Sequence, residues 1–128
     1  MAIRCIVVTP ERTELDCEAD SVTLPMYDGS LGVLPGRAPL IGRLGFGTLR
    51  LETAAGPQHY FVDGGFAQVE GNVVSLLTSR SIAVDLLDVG EAERALEDAQ
   101  QMPASTPELS QMKDTAVRRA RGQLRSAR

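Results

Sequence analysis

The chain has no tryptophan, one histidine (His59) and two cysteines (Cys5 and Cys17), and aromatic residues make up only 4% of its 128 positions. A four-ligand Cys/His zinc site cannot be assembled from that stock. A Ser-His-Asp triad would have to use His59, which lies in an extended segment with no nucleophile motif nearby. His59 therefore reads as a half-exposed strand or turn residue. No apolar run approaches the ~20 residues that cross a bilayer. Met1–Cys5 offers one Arg, no long apolar core and no small-residue cleavage site, so no secretory signal is expected. Stacking platforms for single-stranded nucleic acid are scarce as well. Tyr27, Tyr60, Phe46, Phe61 and Phe66 are expected mostly at core-like strand positions.

What is present is ordinary for a soluble globular chain: 43% hydrophobic and 23% charged residues. The length fits one domain, or one domain with a small appendage, and buries roughly two-thirds of the unfolded surface. The net charge of −4 conceals an asymmetry. Residues 1–110 carry 16 acids and 7 bases, whereas residues 111–128 carry only Asp114 against Lys113, Arg118, Arg119, Arg121, Arg125 and Arg128. An acidic body thus ends in a tail of net +5, suited to an anionic partner.

The chain changes character near residue 88, and ten of its twelve glycines precede Val89. Short apolar runs there predict strands at Arg4–Val8, Glu14–Glu18, Ser21–Met26, Phe46–Leu51, His59–Asp63, Phe66–Glu70 and Val73–Leu77, with shorter pieces at Leu31–Leu34 and Ile82–Val84. Turn signals separate them, among them Asp28-Gly29-Ser30, Pro35-Gly36, Ala55-Gly56-Pro57 and Glu70-Gly71-Asn72. Asp63-Gly64-Gly65 reads as a tight hairpin turn rather than a phosphate loop, since no G-K-[ST] follows it. So many short strands must close or stack their edges, which makes residues 1–85 an all-β domain, a sandwich or a barrel. Asp16, Glu18 and Asp20 alternate along a strand and read as a solvated face. A hairpin about Pro10-Glu11-Arg12 would set Cys5 opposite Cys17, within reach of a disulfide. In a reducing compartment they are expected as two small thiols.

Residues 88–128 read as a helical hairpin. Asp88 is the N-cap of a first helix, with Glu91 in capping-box position and a stripe of Val89, Ala92, Leu96, Ala99 and Met102. Pro103-Ala104-Ser105 breaks the run. Thr106 caps a second helix that starts with Pro107 and Glu108 and has the stripe Leu109, Met112, Ala116, Ala120 and Leu124. These stripes are thin and Ala-rich, so the hairpin should leave its dock at modest cost. Gly122 is expected to weaken the second helix by up to ~1 kcal/mol relative to Ala.

Three Gly and two Pro within Gly29–Ile41 set unusual backbone angles, while Leu31, Val33, Leu34 and Leu40 anchor the loop. A rigid loop carrying Arg37 suits a binding surface. Leu31-Gly-Val-Leu-Pro-Gly-Arg-Ala-Pro-Leu40 resembles the L-G-[IV]-x-P-G-H-x-P-L loop of the epsilon subunits of F-type ATP synthase. Phe61-Val-Asp-Gly-Gly-Phe-Ala-Gln-Val-Glu-Gly-Asn-Val-Val-Ser-Leu-Leu77 resembles the same family's F-[IV]-x-G-G-F-x-[EQ]-V-x-x-N-x-V-T-[VI]-L segment. Val7-Val8-Thr9-Pro10 and Phe46-Gly-Thr-Leu-Arg50 fit too, so the resemblance spans the full length.

The resemblance implies a non-catalytic central-stalk subunit, peripheral on the cytoplasmic face of a bacterial inner membrane and membrane-associated only through its complex. It implies a sandwich held against the gamma subunit and the c-ring, with contacts drawn from Asp28, Ser30, Gly32, Arg37, Ala38 and Pro39. It further implies that the two helices either fold against the sandwich or extend along gamma, and that when extended they contact the beta and alpha subunits and restrain ATP hydrolysis, with Arg118, Arg119 and Arg121 meeting acidic segments of beta. Two loop positions depart from the family: Ser30 where an acid is frequent, and Arg37 where a His is usual. The ATP-binding motif of some members, [IL]-D-x-x-R-A, here reads Leu87-Asp-Val-Gly-Glu-Ala92, and Glu91 would repel a phosphate. No cofactor is therefore expected. The competing reading is a free-standing β-sandwich module whose basic tail attaches to nucleic acid or another anionic partner, which the acidic body opposes. An enzyme is disfavoured because no nucleophile–base pair or metal set can be named.

Overall fold

A computed structural model describes residues 2–127. Eight strands come first: β1 (Ile3–Val8), β2 (Thr13–Ala19), β3 (Ser21–Met26), β4 (Gly29–Val33), β5 (Leu40–Thr53), β6 (Gly56–Glu70), β7 (Val73–Leu77) and β8 (Ser81–Ala83). A 3-10 turn (Val84–Leu86) leads into α1 (Val89–Gln100) and α2 (Pro107–Ala127). The strands hydrogen-bond in the order β2-β1-β7-β6-β5-β3-β4, with β8 added to β6. This sheet folds over so that β1 approaches β3 and β2 approaches β5, which makes the two layers of a β-sandwich.

Alternation decides which side chains enter the space between the layers. Ile3, Cys5 and Val7 of β1, Val22 and Leu24 of β3, Leu49 and Leu51 of β5, Ala67 and Val69 of β6, and Val74 and Leu76 of β7 are all buried there. Cys5 pairs with Cys17 across β1 and β2, and both remain free thiols. Burial pushes the Cys5 thiol up to about 12, and it raises the half-buried Cys17 as well. Asp16, Glu18 and Asp20 are exposed. Arg4 forms a bidentate pair with Asp16, at 2.7 and 2.9 Å, and this holds the carboxyl below its ordinary range.

Several expectations need correction. Asp63-Gly64-Gly65 is not a hairpin turn: β6 runs through it unbroken, and the two strands expected at 59–63 and 66–70 are one. Gly64 and Gly65 have φ of +68° and +109°, a bend that side chains resist. A Cβ on Gly65 would collide with the carbonyl of Leu77. The bend lets β6 pair with β8 below it and β7 above it. The strand expected at Phe46–Leu51 likewise extends over Leu40–Thr53, as the long partner of β6. Phe66 and Tyr27 are exposed rather than core residues, and so is Met112 of the second expected stripe.

The helix signals fall where the capping residues put them. The amide of Glu91 donates to Asp88 Oδ1 at 3.1 Å, and that of Leu109 donates to Thr106 Oγ1 at 3.1 Å. Helix α1 packs chiefly on α2, and α2 carries the pair onto β5 and β6.

Candidate functional site

Two surfaces stand out, one built on the outer face of the sheet and one where α2 meets it. The first begins with the loop before β5. Its Gly36 amide donates to the side-chain oxygen of Asn72 at 2.7 Å, which ties the loop to the β6–β7 turn. Asn72 itself is in the left-handed region, at φ 62°. Arg37, Ala38 and Pro39 lie exposed just beyond this tether. Asp28 and Ser30 are also exposed, but they sit at the β3–β4 turn, at the other end of β4, with Gly32 between the groups. The six expected contact residues thus divide between the two ends of one five-residue strand.

Sequence reasoning missed the apolar part of this surface. On the outer face of the sheet, Val8, Leu77, Phe66 and Arg43 are successive cross-strand neighbours on β1, β7, β6 and β5. Phe66 is 58% exposed and Leu77 60%, and Ile41, two residues before Arg43, is 75% exposed. The signal lay in the alternation of β6, where Ala67 and Val69 face inward. Phe66 therefore shares the outward face with Gln68 and Glu70, and an aromatic on a polar face is an interaction signal.

The second surface is the dock of α2, centred on Phe46. Gly122 presses against the Phe46 main chain so closely that an added Cβ would lie 2.9 Å from its carbonyl carbon. Gly122 is therefore what lets the helix reach the sheet, rather than merely a weak point in the helix. On its other side, the Phe46 ring is 3.3 Å from where a Cβ of Gly64 would stand, and the Arg119 guanidinium is 5.4 Å from the ring centre. Arg119 Nε also donates to Asp63 Oδ1 at 2.7 Å, and the Asp63 side chain is only 9% exposed. Arg118 donates to the Tyr27 hydroxyl at 2.7 Å and pairs with Asp114 at 3.0 Å. Arg43 stacks on the same Tyr27 ring, 4.1 Å from its centre. The hydroxyls of Thr48 and Ser126 share a 2.6 Å hydrogen bond nearer the end of α2.

Two of the three arginines expected to act on a partner, Arg118 and Arg119, are thus engaged within the chain, and Arg121 is exposed on α2. Arg128 of the basic tail lies outside the described residues. Among α2's buried residues, Ala120, Gly122, Leu124 and Ser126, only Leu124 is a large apolar side chain. Burying one leucine contributes about 2–3 kcal/mol, so polar contacts make up much of the dock. Among the described residues no cluster of three potential metal ligands occurs, and no helix is long and apolar enough to cross a membrane.

Residues 2–84 match a family model described as the beta-sandwich domain of the ATP synthase delta/epsilon chain. Over all 128 residues the chain is 69% identical to the ATP synthase epsilon chain of Rhodopirellula baltica, covering 100% of both. It is 35% identical to that of a Nostoc species, covering 99% of this chain and 97% of the relative. The fold matches a chain in the mitochondrial ATP synthase of Euglena gracilis with a TM-score of 0.85 at 23% identity, covering 98% of this chain and 81% of that one. It also matches one in the central stalk and c-ring structure from Tetrahymena thermophila, with a TM-score of 0.76 at 12% identity, covering 100% and 98%.

Proposed function

This chain belongs to the delta/epsilon family of ATP synthase, and we propose that it serves there as a non-catalytic rotor subunit with a regulatory hairpin. In this reading residues 1–85 sit against the gamma subunit and the c-ring, and residues 88–128 restrain ATP hydrolysis. The outward row of Val8, Leu77 and Phe66, with Ile41 beside it, is the gamma-facing surface. The tethered loop with Arg37, Ala38 and Pro39, together with Asp28, Ser30 and Gly32, supplies contacts to the c-ring and gamma. The chain has no active site of its own and binds no nucleic acid. It is held at the cytoplasmic face of the inner membrane only by its complex.

One observation carries the regulatory part: the α2 dock occupies Arg118 and Arg119 at home. In the docked form an acidic segment of beta would have to displace Tyr27 from Arg118 and Asp63 from Arg119. Restraint of hydrolysis by Arg118, Arg119 and Arg121 therefore requires α2 to leave β5, and the docked form is the permissive one. The dock can be locked to test this. The Thr48 and Ser126 oxygens are 2.6 Å apart, so Thr48→Cys with Ser126→Cys, in a chain whose native cysteines are replaced by Ala, suits a disulfide. In the assembled enzyme the oxidised lock should hydrolyse ATP severalfold faster than the same enzyme after reduction. Equal rates in the two states would show that undocking restrains nothing.

A further inference from the structure

A cleft of about 630 Å³ opens between the C-terminal half of α2 and strands β3 and β5. A smaller space of about 260 Å³ adjoins it toward β6 and the 3-10 turn. Thr48, Arg50, Arg125 and Ser126 line both, so Arg50 and Arg125 border the two spaces together. Arg121 lines the larger and His59 the smaller. No Asp or Glu lines either space. That is unexpected in a body whose first 110 residues carry 16 acids against 7 bases.

Four arginines line these spaces: Arg118 is taken up by Asp114 and the Tyr27 hydroxyl, and among the described residues the other three lack a carboxylate partner. Arg4, Arg12, Arg118 and Arg119 each meet a carboxylate, whereas among the described residues Arg50, Arg121 and Arg125 have none. Arg50 and His59 are direct cross-strand neighbours on β5 and β6, which puts both side chains on the face that α2 covers. His59 Nε2 is buried and meets no hydrogen-bonding group of the protein. A buried polar atom without a partner is costly, and so are like charges gathered without a counter-charge. A tetrahedral oxyanion answers both, since guanidinium groups donate to it in pairs and an imidazole N–H donates to a third oxygen.

We propose that this cleft is a binding site for a phosphate-bearing anion, held by Arg50 and Arg125 and completed by His59 and Arg121. No residue of α1 lines it, so it is separate from the Leu87–Ala92 segment. Arg50 and His59 come from the sandwich, and Arg121 and Arg125 come from α2. The whole site therefore exists only when α2 is docked, and its ligand stabilises the docked form.

The test is calorimetric titration of the full chain with pyrophosphate, against sodium chloride of matched ionic strength, with the imidazole resonances of His59 followed by NMR. Saturable binding that shifts the His59 resonances is expected. Arg50→Gln and Arg125→Gln, both at exposed positions and checked for an unchanged melting temperature without ligand, should each weaken it about tenfold. Arg80→Gln, an exposed arginine outside the cleft, should leave it unchanged. Vesicles of phosphatidylglycerol, compared with phosphatidylcholine, separate the two sources of phosphate. Variant-sensitive binding to the anionic vesicles alone makes a lipid headgroup the ligand, and binding of pyrophosphate alone makes it a free phosphate. Binding of neither probe overturns the site, and so does binding that the Arg80 control weakens as much as the cleft variants do.

Discussion

At the scale of single residues, Gly122 separates what a helix prefers alone from what the molecule requires. In an isolated helix Gly122→Ala is favourable by up to ~1 kcal/mol. In the whole chain the new methyl meets the Phe46 main chain, which cannot yield without moving β5. The expected outcome is a helix at least as well formed by circular dichroism, together with faster hydrogen exchange along the face that holds Ala120 and Leu124. Unchanged exchange there would show that the close approach carries no weight. This role was not legible in the sequence, because the residue Gly122 meets lies 76 positions earlier and nothing local marks the pairing.

Cys5 gives a pH signature with a definite sign. Its folded thiol titrates at about 12, against an ordinary value of 9.0, because burial disfavours the thiolate. Between those values the unfolded chain gives up a proton that the folded chain keeps. The stabilisation is complete below about pH 9 and is lost as pH rises toward about 12. Denaturant melts across that window should show a falling midpoint that is flatter in Cys5→Val, and Cys5 should resist thiol reagents near pH 8 until the protein unfolds. By contrast, the facing of Cys5 and Cys17 was legible, because hairpin register follows from the turn between them.

At the scale of elements, β6 shows how one dipeptide misleads. Gly64-Gly65 carries the composition of a turn, and a turn was expected. Both arms of β6 pair with β5 continuously on either side, so the glycines mark a bend between layers instead. Local composition cannot distinguish the two cases, since both need positive φ. Gly65→Ala should cost roughly 2–4 kcal/mol, combining strained backbone with the collision at Leu77, and should appear as a large drop in melting temperature. The helix ends were legible because a cap is local: Asp88 with Glu91 and Thr106 with Leu109 lie three residues apart. The exposed row through Phe66 was in principle readable from alternation, but an aromatic-poor chain invites assigning every aromatic to the core.

At the scale of the whole molecule, the sandwich holds the apolar core and α2 attaches mainly through polar and close-backbone contacts. Deleting residues 89–128 should leave a cooperatively melting β-protein with little change in its strand signal. A product without a cooperative melt would mean that the helices are part of the core. The split of charge between an acidic body and a basic tail was plain from the sequence. That the tail's arginines divide between partners in the sandwich and an open cleft depends on how α2 is rotated, which Gly122 sets and composition does not.

The parallel pairing of β1 with β7 also orders events in time. Strand β1 lies between β2 and β7, so the first strand made has one free edge until residues 73–77 arrive. Such long-range pairing folds slowly compared with helices, which form in microseconds. During synthesis at about 5–20 residues per second, the 44 residues from Ala83 to Ala127 take roughly 2–9 s to follow the last strand. The sheet therefore has seconds in which to close before the docking helix is finished. Each newly made chain passes through an undocked state, with Phe46 uncovered, before its own α2 arrives to cover it.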